Sequence, residues 1–346
     1  MWLGLLYLSL SVAALTIILE KLYYRLRIDF NTPKEQTMDE LEPQSLPRFY
    51  FCAVMQAFHL SAGKFYPALP GETMTKPDPD SPATFYPPRS EKMLAIECSM
   101  RHDRLRLYRE CIGYSGDPKQ LPPVFMSAYF NKAIIALGAS QFSRIRILDL
   151  RHLIRENFHV SLINEKYEET PKGIQCTLRA SVYDLSDTLV WEALLVGLSV
   201  SPKRKSTRKT PQADPAEFIM YKQEEINAPL NIGVDFAYAT QDWQPQHLTK
   251  WTSKLVGFSS PIAHGLWSMA VAVDRVMANE KATFQDKYPL HLDVQFKKPL
   301  FLPGKALLQF DKPSGASGFT HFQMVNSKSL SPILTGSMHV GERMAQ

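Results

Sequence analysis

Asp242 and His247 stand five residues apart in the segment YATQDWQPQH, on a stretch pinned by Pro245, and Ala263-His264-Gly265 follows just ahead of an apolar run. A carboxylate and an imidazole on one tight turn form an acid/base pair, because the imidazole changes charge near neutral pH and the carboxylate can orient a water or a proton. The first N–H groups of a helix have no acceptor within it, so a helix opening at Gly265 can stabilise a developing oxyanion. Glycine at that point lets a substrate come close to the backbone. These residue types imply proton chemistry next to a carbonyl, with Asp242 and His247 catalytic, Gly265 in an oxyanion hole, and His264 a neighbour that helps shape the helix start. No metal-ligand spacing is present, and nothing calls for a cofactor.

The elements that must hold these groups are read from periodicity. Leu266, Met269, Ala270, Val273, Val276 and Met277 recur at helical spacing, which predicts a helix over 266–277. Strands are expected after it at 292–296, 306–310, 321–325 and 333–340, with alternation clearest in Leu292, Val294 and Phe296. The first half carries a looser copy: a buried helix expected over 125–142, then strands at 159–163, 174–183 and 188–200, the middle one alternating through Ile174, Cys176, Leu178, Ala180 and Val182. One apolar helix followed by antiparallel strands, twice over, is an α+β pattern of a curved sheet wrapped around a helix in each half.

Charge and composition exclude several classes. The chain has 346 residues and a net charge of +5, and the excess is local: Lys203, Arg204, Lys205, Arg208 and Lys209 form one run beside Pro202 and Pro211. Without that run basic and acidic residues balance, so no nucleic-acid surface is expected and the segment 203–225 reads as a basic linker. Cys52, Cys98, Cys111 and Cys176 show no C-x-x-C spacing and imply no disulfide framework. Residues 2–19 hold no charge and make about 27 Å of helix, enough to span a membrane narrowly as an uncleaved anchor. Lys21, Arg25 and Arg27 follow directly, which by the positive-inside rule leaves a single-pass protein with its catalytic body in the cytoplasm. A polar tether over 20–47 and a loop over 67–88 with seven prolines complete the non-periodic parts.

YATQDWQPQH, LVGF and SPIAHGLW resemble, in letters and spacing, the signature of the MaoC-like (R)-specific enoyl-thioester hydratases and dehydratases, and QFKKPLFLP at 295–303 resembles a strand-and-turn segment of the same family. The resemblance implies a double hotdog, with a degenerate first repeat over 48–202 that houses the acyl chain and a catalytic second repeat over 226–346. It implies interconversion of trans-2-enoyl and (3R)-3-hydroxyacyl thioesters carried on coenzyme A or an acyl carrier protein, with Asp242 and His247 holding the water and a backbone N–H near Gly265 facing the thioester oxygen. A monomer acting as its own pseudo-dimer, or a homodimer, follows from two repeats in one chain. A non-catalytic acyl-thioester-binding protein and an acyl thioesterase are the competing functions on this fold. In the first repeat Asp117 follows Ser115-Gly116 much as a catalytic Asp would, yet no histidine follows it, so an ordinary turn is expected. The second repeat departs from the family at Thr240-Gln241, where Ser-Gly is usual, and at Gln244, where Asn is usual. If the glycine position needs a positive φ, Gln241 is either strained there or sends the loop elsewhere.

Overall fold

Strands form in this chain where apolar residues recur at every second position, and a row of buried side chains lines one face of three of them: Leu290, Leu292 and Val294 in one, Ala306, Leu308 and Phe310 in the next, Phe322 and Met324 in a third. The computed structural model describes residues 94–98, 102–129, 140–147, 158–170, 173–200, 219–315 and 318–341. In chain order these are β1 (Leu94–Cys98), α1 (His102–Ile112), α2 (Phe125–Tyr129), β2 (Ser140–Ile147), β3 (Phe158–Thr170), β4 (Gly173–Tyr183), β5 (Leu189–Val200), β6 (Lys222–Ala228), α3 (Ile232–Thr240), a 3-10 turn (Pro245–His247), α4 (Lys250–Leu255), α5 (Gly265–Asn279), α6 (Lys281–Phe284), β7 (Leu290–Phe296), β8 (Gly304–Phe310), β9 (Thr320–Asn326) and β10 (Pro332–Val340). The expected anchor at 2–19, the tether and the proline-rich loop lie outside the described residues. Among the described residues no helix is long and apolar enough to cross a membrane.

The two sheets expected from the sequence are joined into one. Ten strands run in the order β1-β3-β4-β5-β2-β7-β10-β9-β8-β6. Every named pairing is antiparallel. Read outward from the middle, the first half is β2-β5-β4-β3-β1 and the second is β7-β10-β9-β8-β6, the same connectivity twice about a pseudo-twofold. The seam is the pairing of β2 with β7, from Phe142 opposite Gln295 to Ile147 opposite Leu290. Joining the halves there removes two sheet edges that would otherwise offer unpaired backbone groups.

Three strands were not anticipated. β1 is short. β2 overlaps the end of the helix expected over 125–142: residues 125–129 are helical as expected, 130–139 lie outside the described residues, and from Ser140 the alternation of Arg144 and Arg146 with Ile145 and Ile147 belongs to a strand instead. β6 pairs with β8 alone and buries only Ile226 and Ala228, so as an edge strand it carries too few apolar residues to show a period. It takes in Lys222 to Glu225, residues assigned by sequence to the linker.

α5 is the apolar helix expected in the second half, two residues longer at its C-terminal end, with Met269, Ala272, Val273 and Val276 fully buried against β9 and the first-half helices. α1 packs along α3, and the rings of Tyr108 and Phe236 meet with centroids 5.5 Å apart. The Trp267 indole N–H donates to the Cys111 carbonyl at 2.9 Å, which ties the first turn of α5 to the last turn of α1. Asp274, buried in the middle of α5, accepts from the Ser115 amide at 3.2 Å and its hydroxyl at 3.1 Å. Both repeats therefore converge on this one helix. Leu292 sits fully buried in β7, between the seam and β10. Leu292→Ala is expected to lower the stability of the fold by about 2–5 kcal/mol, read by denaturant titration, because the lost methyls leave a cavity that paired strands cannot close.

Candidate active site

α3 ends at Gln241, whose backbone is left-handed with φ 59° and ψ 24°. That turn of the chain aims the next residue, Asp242, inward, where it is 3% exposed. The positive φ expected of the position is present, and Gln241 adopts it. Its side chain is engaged at both ends: the amide N–H donates to the Tyr238 carbonyl at 3.1 Å and the amide oxygen accepts from the Trp243 indole at 3.3 Å. Those bonds offset part of the cost of a side chain in the left-handed region, about 1–2 kcal/mol. Asp242 then caps its own turn, its Oδ1 accepting from the Gln244 amide at 3.3 Å while the Asp242 amide donates to Thr240 Oγ1 at 3.4 Å. Gln244 thus steadies the carboxylate through its backbone, not its side chain.

His247 is delivered by the 3-10 turn that Pro245 starts. The residue that permits its position is Gly233, in the first turn of α3: a Cβ there would lie 1.9 Å from the His247 carbonyl oxygen. No pattern in the sequence marks this close approach. A two-bond ladder then pins the turn to the chain entering α5, since the Ile262 amide donates to the Gln246 carbonyl at 3.0 Å and His247 Nδ1 lies 2.8 Å from the Ile262 carbonyl. A carbonyl only accepts, so Nδ1 carries the proton, and the neutral ring presents a bare Nε2. Ala263 in turn donates to the Leu300 carbonyl at 2.8 Å, which fixes the approach to the helix.

His264 is the N-cap of α5 and Gly265 its first residue. The His264 carbonyl accepts from Ser268 at 3.1 Å, leaving the first-turn N–H groups from Gly265 onward without an intrahelical acceptor. A Cβ at Gly265 would meet the Phe296 ring at 3.2 Å, so a side chain would press on β7 as well as on any substrate. Asp242, His247 and His264 are all buried, and one ligand atom from each lies within 4.8 Å of the others. The two imidazoles are stacked, centroids 3.7 Å apart at 21°. His264 Nε2 faces the Asp242 carbonyl oxygen at 3.1 Å and Oδ2 at 3.7 Å. Such a trio suggests a metal centre by composition, but near-parallel stacked rings send their lone pairs side by side, whereas a tetrahedral ion needs them to converge. The geometry suits proton transfer.

Burial holds the His247 imidazole below its ordinary range, against the opposing effects of the Asp242 charge and the hydrogen bond to Ile262. Burial holds His264 well below its range, and proximity to His247 adds to this. Both rings are therefore neutral at neutral pH, and the contact between His264 and Asp242 is a hydrogen bond, not an ion pair.

The first repeat lacks this arrangement. Asp117 is exposed, its Oδ1 accepting from the Lys119 amide at 2.8 Å, an ordinary turn as expected. The geometric counterpart of Asp242 is a different residue. α1 ends at Gly113 with φ 62°, as α3 ends at Gln241 with φ 59°, and the residues that follow are Tyr114 and Asp242. Tyr114 holds the chain position that Asp242 holds in the second repeat, and burial pushes its phenol well above the ordinary tyrosine range.

Residues 231–312 match the family model described as MaoC like domain. Over 123 residues the chain is 30% identical to 3-hydroxyacyl-thioester dehydratase X of Mycobacterium tuberculosis, an alignment covering 36% of this chain and 39% of that protein. The matched stretch is thus well under half the relative's length. Among solved structures, HtdX of Mycobacterium tuberculosis superposes with a TM-score of 0.57 at 20% identity, over 71% of this chain and 99% of that one. A MaoC-like dehydratase from Phytophthora capsici gives 0.60 at 16% identity, over 73% and 96%. Full-length peroxisomal multifunctional enzyme type 2 from Drosophila melanogaster gives 0.59 at 14%, over 72% of this chain and 48% of that one. These likenesses support the α+β hotdog fold.

Three outcomes follow from the site. An imidazole that must be neutral to accept a proton, and whose protonation lies below its usual 6.5, gives an activity that falls only as pH drops below that value, measured as the acid limb of kcat/KM. Stability moves the same way: the unfolded chain binds protons at these two histidines before the folded chain does, so stability is present above about pH 6.5 and declines below it. Gly233→Ala is expected to displace the His247 backbone and reduce kcat by about 100-fold in folded protein, while the same change at exposed Gly315 has no effect on turnover.

Proposed function

The chain belongs to the MaoC-like family, and on that premise we propose that its second repeat hydrates trans-2-enoyl thioesters and, in reverse, dehydrates (3R)-3-hydroxyacyl thioesters. The observation that carries this is the buried cluster in which the Asp242 carboxylate and the His247 imidazole share a 4.8 Å space beside the start of α5. In the forward direction a water sits between Asp242 and His247 Nε2. Its oxygen bonds to C3 of the enoyl group, the C2–C3 π pair moves toward the carbonyl, and the proton lost by the water is returned to C2. Negative charge gathers on the thioester oxygen during that transfer, and the N–H groups at Gly265 together with the positive end of the α5 dipole offset it. Gln244 and His264 hold the pair in place.

The acyl chain lies in the first repeat in this proposal, and the thiol is coenzyme A or an acyl carrier protein. The sheet order supports a monomer serving as its own pseudo-dimer, since two equivalent halves already share one sheet. A single-pass anchor over 2–19 belongs to the same proposal, supported by 18 uncharged residues followed by Lys21, Arg25 and Arg27, an arrangement that favours a cytoplasmic body.

Purified full-length protein should bleach the conjugated enoyl-thioester absorbance, with Asp242→Asn and His247→Ala each lowering kcat by about 100- to 10,000-fold while leaving the fold intact. Failure to bleach any chain length, or release of free thiol without hydration, sinks the hydratase reading.

A further inference from the structure

His264 touches all three parts of the site at once. Its ring lies against His247 with centroids 3.7 Å apart, its Nε2–H donates to the Asp242 carbonyl at 3.1 Å, and its own carbonyl opens α5 by accepting from Ser268. Behind it the Phe236 ring sits 5.0 Å away, and Tyr108 of the first repeat backs Phe236. A column of four rings thus runs from α1 in one repeat to the base in the other. The titratable groups facing His264 are Asp242 and His247, with Phe236 of α3 closing the other side.

One atom of His264 has no role in packing. Nδ1 is buried and has no hydrogen-bond partner. An acceptor stripped of water and given nothing in return is a net cost, and a Phe or Leu of similar volume would avoid it. What only the imidazole supplies is a flat face for His247 together with an N–H for Asp242 on its far edge. Neutrality matters too: a cation stacked at 3.7 Å would oppose the charge that His247 acquires when it takes a proton, whereas a neutral ring face tolerates it.

We propose that His264 is a positioning residue for both reacting groups, its ring face fixing the plane of the His247 imidazole and its Nε2–H fixing the backbone that carries the Asp242 carboxylate. This rests on the hydratase reading of the pair, but its geometric content does not. His264 contacts no substrate in this role; it acts through the two residues that do.

The test uses full-length protein with 15N-labelled histidine, His247 being assigned by its loss in His247→Ala. In the parent, His247 should show one proton-bearing nitrogen and one bare nitrogen, a single tautomer. His264→Ala is expected to fold, to mix the His247 tautomers, and to lower kcat by about 100-fold with KM changed by less than about twofold. His264→Gln restores the donor and His264→Phe the ring face, so each should recover part of the lost turnover, roughly 10-fold. Turnover of His264→Ala within about threefold of the parent, or unchanged His247 signals in it, overturns the proposal. So does loss of folding in all three variants, or a His264→Phe variant with parental kcat and signals, since either outcome makes the residue a packing element. If the parent shows no hydration at all, the hydratase reading fails while the nitrogen signals still decide whether His264 orients His247.

Discussion

Three polar side chains packed within 4.8 Å of one another, all of them buried, are the constraint around which the second repeat is arranged. None can be left to solvent, so the backbone must satisfy them. The Ile262 carbonyl accepts from His247, the Asp242 carbonyl accepts from His264, and the Gln244 amide donates to the carboxylate. Each of those bonds also fastens one piece of chain to another: the 3-10 turn to the strand-like entry of α5, the end of α3 to the N-cap of α5. The site and the local fold are therefore the same set of hydrogen bonds. Two buried imidazoles kept neutral are the thermodynamic consequence, and the loss of stability on acidification follows from them.

The pseudo-twofold explains where this cluster can be built. α1 and α3 meet as equivalents, each ended by a left-handed residue, and Tyr108 faces Phe236 across the axis. α5 receives ties from the first repeat, through Trp267 to Cys111 and Asp274 to Ser115, on the same helix whose N-cap, His264, contacts Asp242 and His247. With Tyr114 in place of the carboxylate, the first repeat keeps the turn and drops the acid. Its contribution is to hold α5 and back the ring column, which the second repeat could not do alone.

The parts of this arrangement legible in the sequence are those that leave a period or a motif. β4 and β7 show alternation, β5 and β8 to β10 show short apolar runs bounded by turn residues, and α5 shows a helical stripe. Edge strand β6 and seam strand β2 were missed, β6 because only two of its side chains are buried and β2 because its first three residues fall inside the apolar stretch read as a helix. Asp242, His247 and Gly265 are marked by spacing and resemblance, and the structure brings the first two together beside the helix that Gly265 begins. Gly233 is not so marked, because a close approach to a backbone oxygen 14 positions away in sequence leaves no trace in either segment. Asp117 is the opposite case: Ser-Gly-Asp copies the letters of a motif, but with no histidine after it an ordinary turn was expected and is present, and it is the helix end at Gly113 that puts Tyr114 in the chain position of Asp242.

The departures at Gln241 and Gln244 show what such a motif constrains. What the turn needs at the first position is a left-handed backbone, and glycine is the cheapest residue to supply it, not the only one. Gln241 reaches the same dihedral angles and its amide bridges Tyr238 to Trp243, bonds a glycine cannot make. At the second position the bond to the carboxylate comes from the amide N–H, which every residue except proline has, so the longer side chain of Gln244 changes nothing at Asp242. The motif letters are a record of one inexpensive way to hold an aspartate at the end of a helix. Substitution at both leaves Asp242 buried beside His247 and His264, because what holds it there is backbone geometry.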